Sequence, residues 1–379
     1  MVHFLIHTAL TMLLFLAFSG ITESSPHFEN QADDPDYVIF YHSFGYQIGD
    51  EWVIPMRYYV YEYRRWTESL ISRTVRRIGE REPEEIDLFR SRIRYFAVDS
   101  ESREVVYFRF EEDPDQTEYT LLDESGSPVT TGLNGVAEGV IRLPVEKADQ
   151  LMKKQRSDDG WLSFYAVSED HEGTGSIQFI PHKGLSIISD IDDTVKITEI
   201  PAGARTVVQN TFFKDFQPAP ELVSRYQNWH NDGAVFHYVS GAPWQLYKPL
   251  EAFLFSPDAG YPEGTFHMKN ARKNLLSVNS WRDLRELATN ELVTYEQKIE
   301  QITEIISKFP ERRFILVGDS GERDPEVYRE IFKRFPDQIE EIIIRDVVND
   351  RELNPDRLQE MTIVPAPTIV PDAWQNQAD

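Results

Sequence analysis

Gly184-Leu185-Ser186-Ile187-Ile188-Ser189-Asp190-Ile191-Asp192-Asp193-Thr194-Val195-Lys196 is the stretch that decides the fold of the C-terminal half. A short apolar run opened by Gly and closed by a cluster of acids reads as a buried strand with chemistry at its end. Working outward, candidate strands at Leu185 to Ser189, Ala234 to Val239, Arg313 to Val317 and Ile339 to Ile344 alternate with amphipathic helices, notably Glu221 to Asn231 and Glu296 to Lys308. That alternation predicts an α/β fold with a parallel sheet. In such sheets ligands bind outside the carboxyl ends of the strands. The first three strands end in Asp190-Ile191-Asp192-Asp193-Thr194, in Ser240-Gly241, and in Gly318-Asp319-Ser320-Gly321-Glu322-Arg323-Asp324.

The fold would therefore gather Asp190, Asp319 and Asp324 at one place, with Asp192 close by. Carboxylates about 4 Å apart repel by roughly 4 kcal/mol per pair at an effective dielectric of 20, so such a cluster needs compensation. A hard divalent cation supplies it. Octahedral Mg²⁺, which keeps several waters and accepts a substrate phosphate, suits a site of few carboxylates. The competing role for an aspartate after a strand is to cap the next helix, and Asp193 is assigned that role.

Asp190-Ile191-Asp192-Asp193-Thr194 resembles the DxDxT motif of the haloacid-dehalogenase superfamily. The likeness gains weight from order: Ser240 closes a second strand, Lys298 opens a helix 21 residues before Asp319, and a Gly-Asp-x-x-x-x-Asp loop carries Asp319 and Asp324. Within that superfamily, residues 184 to 348 most resemble the actin-patch-associated phosphatidate phosphatase catalytic domain. The matching text includes Asn210-Thr211-Phe212, Phe236-His237-Tyr238-Val239-Ser240-Gly241-Ala242-Pro243-Trp244-Gln245-Leu246-Tyr247 and Leu316-Val317-Gly318-Asp319-Ser320-Gly321-Glu322. The resemblance implies a Rossmann-like parallel sheet of the haloacid-dehalogenase type.

It also implies roles. Asp190 would attack phosphorus and form an aspartyl-phosphate. Asp192 would protonate the leaving oxygen and later activate water. Ser240 and Lys298 would hold the phosphoryl group, with Thr194 as a further phosphate-binding residue. Asp190, Asp319, Asp324 and the backbone carbonyl of Asp192 would hold Mg²⁺. Lys269 competes with Lys298 for the phosphate, although its spacing from Asp319 fits less well. His237, between Phe236 and Tyr238, reads as a core histidine, and Trp244 and Tyr247 as an aromatic face packed on the sheet.

From Tyr37 to Pro181 the text changes to strands and turns, such as Tyr58 to Tyr63, Val105 to Phe110 and Leu162 to Val167. β-Branched and aromatic enrichment marks each one. The prediction is a β-rich, sandwich-like domain with a helical insertion near Ser69 to Arg77. At 379 residues the chain has room for both units and a leader. The expected divisions are a signal peptide over 1–24, the β-rich domain over 25–183, the phosphatase domain over 184–350 and a loose tail over 351–379.

The leader is read from the apolar run Ala9 to Phe18 and the small residues Ala17 and Ser19, which suit export and cleavage; His3 and His7 replace the usual Lys or Arg, so an uncleaved anchor stays open. With no cysteine, thiolate metal sites, thiol catalysis and disulfides are excluded. The formal net charge of -25 opposes nucleic acid as a partner. The arginine-rich run from Arg64 to Arg94 is interrupted by acids and reads as a solvated mixed-charge surface. No stable protein partner is implied.

These features point to a phosphomonoester hydrolase, with a phosphotransferase and a non-catalytic binding module as the other classes. Phosphatidate at a membrane surface is the substrate the resemblance implies, and a soluble phosphomonoester is the alternative. Only 45 residues separate Thr194 from Ser240, which leaves room for a small flap around Phe212 to Phe216 and not for a large lid.

Overall fold

The computed structural model describes residues 36–62, 82–168, 170–269 and 291–370. The leader, the expected insertion from Ser69 to Arg77 and the last nine residues lie outside the described residues.

The first half holds strands β1 (Asp36–Phe40), β2 (Ser43–Ile48) and β3 (Glu51–Glu62), helix α1 (Pro83–Ala97), β4 (Asp99–Ser100), β5 (Phe108–Phe110), β6 (Val136–Pro144), helix α2 (Val145–Gln155), β7 (Trp161–Ala166), β8 (His171–Glu172) and β9 (Thr174–Phe179). All nine strands join one hydrogen-bonded sheet: seven follow the path β5-β7-β9-β2-β3-β1-β8, and β4 and β6 pair with β3 off that path. Only Gly173 separates β8 from β9, yet β8 ends the path and β9 lies inside it. The sheet must therefore bend back on itself. Trp52, Ile54, Met56, Tyr58 and Val60, at every second position of β3, fill the interior with Phe40, Phe108 and Phe164.

Helices α1 and α2 were not read from the sequence. In α1 the apolar residues Ile86, Phe89, Ile93 and Phe96 follow a helical spacing, but the surrounding charges hide it. Arg92 corrects the expectation of a solvated surface. It is buried, donates to the carbonyls of Thr211 (2.8 Å) and Lys214 (2.6 Å), and stacks on Phe216 at 3.7 Å.

The second half continues with β10 (Leu185–Ser189), β11 (Lys196–Ile197), α3 (Ala204–Phe212), β12 (Gln217–Pro218), α4 (Pro220–Asn231), β13 (Val235–Pro243), α5 (Tyr247–Leu254), β14 (Thr265–Lys269), α6 (Glu291–Lys308), β15 (Arg313–Asp319), α7 (Asp324–Arg334), β16 (Ile339–Asp346), α8 (Asp350–Leu353) and β17 (Thr362–Pro365). Six of these strands form an all-parallel sheet in the order β14-β13-β10-β15-β16-β17. Helices cover both faces: Ile187 and Tyr238 pack with Tyr226 and Leu250 on one side, Ile188 and Leu316 with Ile302 and Ile331 on the other. A sheet buried on both faces needs near-continuous apolar strands, which Ile187-Ile188 and Phe314-Ile315-Leu316-Val317 provide.

The expected loose tail is corrected over its described residues, 351–370. After α8 the chain makes a 3-10 turn at Pro355–Leu358 and returns as β17, parallel to β16 at the sheet edge. The polar residues around it hid this, because the strand itself is only the four residues Thr362 to Pro365, and edge strands are often that short. The two halves also share apolar cores: Tyr41 packs on Trp244 and Tyr247, and Phe44 on His237 and Phe309. Trp244 and Tyr247 thus pack between sheets, and His237 is fully buried with Nδ1 2.8 Å from the Thr265 hydroxyl. No helix among the described residues is long and apolar enough to cross a membrane.

Candidate active site

Strand β10 lies between β13 and β15, so the ends of these three neighbours bring Asp190, Ser240 and Asp319 to one edge of the sheet. The backbone N–H of Asp190 bonds the Val317 carbonyl at 2.9 Å, which locks the two acidic loops together. Helix α7 starts at Asp324 and directs its positive N-terminal end toward the same place. One oxygen from each of Asp190, Asp319 and Asp324 lies within 4.8 Å of the others, and all three residues are buried. A Cβ at Gly318 would stand 2.4 Å from Asp324 Oδ2, so only glycine admits this approach.

Lys298 Nζ donates to Asp190 Oδ1 at 2.8 Å and to Asp324 Oδ1 at 2.6 Å, and lies 3.5 Å from Glu322. Burial would pull this ammonium down, but the three carboxylates outweigh it and hold it well above its ordinary value. Asp190 and Asp319 are both pushed well above the usual carboxylate range, first by burial and then by neighbouring acids. Glu322 is raised to about 7, again chiefly by burial. Asp319 Oδ1 accepts the N–H groups of Gly321 (2.6 Å) and Glu322 (3.1 Å). Asp190 Oδ2 and Asp319 Oδ2 are buried with no hydrogen-bond partner among the described residues. Two buried carboxylate oxygens without donors, beside a third carboxylate, are what a hard cation requires. These residues fit a divalent metal.

Asp192 stands apart from that trio. Its Oδ1 accepts from Lys196 Nζ at 2.7 Å and from Thr198 Oγ1 at 2.5 Å, and Ser240 Oγ lies 3.4 Å from its Oδ2. Burial raises its carboxyl, yet the Lys196 ammonium and its hydrogen bonds hold it below the ordinary value. Strand β13 runs past Ser240 to Pro243, with a register irregularity against β14 after Val239. The Ser240 hydroxyl also accepts the Ala242 N–H at 2.9 Å. Thr194, the last residue of the motif, is buried, its hydroxyl without a partner among the described residues.

Asp193 turns away, in the left-handed region at φ 55°. It gathers the N–H groups of Thr198, Glu199 and Ile200, opening a 3-10 turn at Ile200–Ala202. Lys269 donates to Thr294 Oγ1 at 3.1 Å, one turn of α6 from Lys298, and burial lowers it to about 8. Lys298 touches the carboxylates of Asp190 and Asp324. Lys196, Thr198 and Glu322 were not singled out from the sequence; the Lys four residues after Asp192 was the available signal.

Residues 185–346 match the family described as the catalytic domain of phosphatidate phosphatase APP1. The match covers that segment alone, less than half of this chain. The phosphatidate phosphatase APP1 of Saccharomyces cerevisiae is 34% identical over 170 residues, 44% of this chain and 27% of that protein. An uncharacterised protein of Schizosaccharomyces pombe is 26% identical over 264 residues, 68% of this chain and 38% of its own length. The chain thus spans well under half the length of either relative. Among solved structures, a carbohydrate esterase aligns at 10% identity over 90% of this chain and 94% of its own, with a TM-score of 0.21, too low to carry a likeness of fold.

Proposed function

We propose that this chain is a Mg²⁺-dependent phosphatase of the haloacid-dehalogenase type that hydrolyses a phosphomonoester through an aspartyl-phosphate on Asp190, and that phosphatidate is its substrate. One observation carries the chemistry: a buried aspartate at a strand end shares Lys298 with Asp324 and faces Asp319 with two carboxylate oxygens unsatisfied. The match of residues 185–346 to the phosphatidate phosphatase catalytic domain supports the substrate.

Asp190, Asp319, Asp324 and the Asp192 carbonyl would hold the ion. Mg²⁺ would offset the charge of the phosphoryl group and of the carboxylates around it. In the first step an Asp190 carboxylate oxygen bonds to phosphorus as the bond from phosphorus to the alkoxide breaks. Asp192 gives its proton to the departing oxygen. Lys196 keeps that carboxyl ionised and oriented at rest, and an arriving phosphate adds negative charge that favours its protonated form. In the second step Asp192 takes a proton from water. The water oxygen bonds to phosphorus, the acyl-phosphate bond breaks, and phosphate leaves with Asp190 restored. Ser240 and Lys298 hold the transferring group by hydrogen bond and charge, with Thr194 beside them.

A short flap supports a large or interfacial substrate. Strands β11 and β12 pair as Lys196↔Pro218 and Ile197↔Gln217, and only the 3-10 turn Ile200–Ala202 and α3 lie between them. The net charge of -25 favours a second reading, a soluble phosphomonoester, because it opposes an anionic bilayer. Comparison of kcat/KM with Mg²⁺ present separates the two. We expect phosphatidate in mixed micelles to be preferred over sugar phosphates and mononucleotides. A clear preference for a soluble ester would overturn the lipid assignment, and phosphate release insensitive to EDTA would overturn the metal mechanism.

A further inference from the structure

The Asp319 to Asp324 loop is held from behind by a residue beyond the family match, which ends at residue 346. Arg357 lies in the 3-10 turn Pro355–Leu358, in the stretch whose composition suggested a loose tail. Its guanidinium uses all its donor directions. Nη1 donates to the Ser320 carbonyl and to Asp350 Oδ2, both at 2.5 Å. Nη2 donates to the Glu322 carbonyl and to Glu326 Oε2, and Nε donates to Glu326 Oε1 at 2.7 Å. A planar fork of five N–H groups can hold two carbonyls and two carboxylates at once; a lysine cannot.

Peptide geometry gives this grip a consequence. In a trans peptide the C=O and N–H point in opposite directions. The carbonyl of Ser320 is fixed outward on Arg357, so the N–H of Gly321 points inward, where it holds Asp319 Oδ1 at 2.6 Å. With Oδ1 so engaged, Oδ2, which has no donor among the described residues, is the oxygen left for the cluster with Asp190 and Asp324. The Ser320 side chain fixes the same corner: its hydroxyl donates to Asp346 Oδ1 at 3.0 Å and accepts the Val347 N–H at 2.9 Å. The opposite anchor is also built, since Asp350 accepts from Asn354 at 2.7 Å as well as from Arg357.

We propose that Arg357 is a positioning residue for the metal site, setting the Ser320–Gly321 peptide so that Asp319 presents its free oxygen to the cation. This rests on the metal-dependent reading above. Loss of a group that orients a metal ligand typically weakens the metal by about 10- to 100-fold.

The test is calorimetric titration of Mg²⁺ into the full chain, with thermal unfolding recorded beside it, for wild type, Arg357→Lys and Glu326→Gln. Arg357→Lys keeps the charge and loses the fork, whereas Glu326→Gln keeps Arg357 and weakens one anchor. We expect Mg²⁺ to bind about 10- to 100-fold more weakly to Arg357→Lys, with a smaller loss in Glu326→Gln, and turnover at saturating Mg²⁺ to stay near that of wild type. A lowered unfolding temperature with unchanged Mg²⁺ affinity in both variants would mean that Arg357 only stabilises the fold, and would overturn the proposal. Absence of Mg²⁺ binding to wild type would instead overturn the metal reading on which it rests.

Discussion

Replacing Lys298 by Met tests the electrostatics of the site without touching a metal ligand. The Lys298 ammonium is 3% exposed, 2.8 Å from Asp190, 2.6 Å from Asp324 and 3.5 Å from Glu322. Removing one partner of a buried ion pair costs about 3–5 kcal/mol, because the other charge stays buried and uncompensated. For a unit of 150–250 residues each kcal/mol is worth about 2–4 °C, so the unfolding temperature in EDTA should fall by about 6–20 °C. Mg²⁺ should restore much of the loss, since a ligand at a hundredfold excess over its Kd adds about 2.7 kcal/mol. In wild type the ion must compete with the ammonium for Asp190 and Asp324, so the Lys298→Met variant should gain more from Mg²⁺ than wild type does. Differential scanning calorimetry with EDTA and with saturating Mg²⁺ measures both effects. A fall in EDTA of less than about 2 °C, or equal responses to Mg²⁺, would refute the account of Lys298 as the internal counter-ion.

Asp192→Asn should slow turnover by about a hundredfold to ten-thousandfold on alkyl phosphates and much less in the first step on aryl phosphates, whose leaving groups need little protonation; equal losses on both would remove the acid role. His267 is half-buried and held down to about 4 by desolvation, with the Thr265 hydroxyl 2.9 Å from its Nε2 and the His237 ring nearby. Because its folded value lies below the unfolded 6.5, its contribution is full above that pH and is lost as pH falls toward 4, by about 3 kcal/mol in all. Urea unfolding across that window should show a shallower loss for His267→Asn than for wild type; parallel curves would contradict the shift.

The sheet of the second half was legible because buried parallel strands carry continuous apolar runs, and Leu185 to Ser189 has the same limits in sequence and structure. The gathering of Asp190, Asp319 and Asp324 followed from strand ends alone. What escaped was set by tertiary contacts. Helix α1 carries a helical apolar stripe among so many charges that its burial against the end of α3, through Phe89 on Phe212 and Phe213, left little trace in composition. β17 is only four residues, Thr-Ile-Val-Pro, set among polar and Pro-rich text, and Arg357 acts through carbonyls 35 and 37 residues away, which no local pattern encodes. Lys196 stood within the quoted motif, but its pairing with Asp192 depends on a turn created by Asp193 at positive φ.

The central claim is that phosphorus is carried by Asp190. Acid quench of a single turnover with a radiolabelled phosphomonoester, followed by peptide mapping, tests it directly. Asp192→Asn protein, in which hydrolysis of the intermediate is slowed, should retain a hydroxylamine-labile phosphoryl group on the peptide containing Asp190, and Asp190→Asn should abolish both label and turnover while leaving the fold intact. Turnover without any protein-bound label, or label on a different residue, would contradict the account.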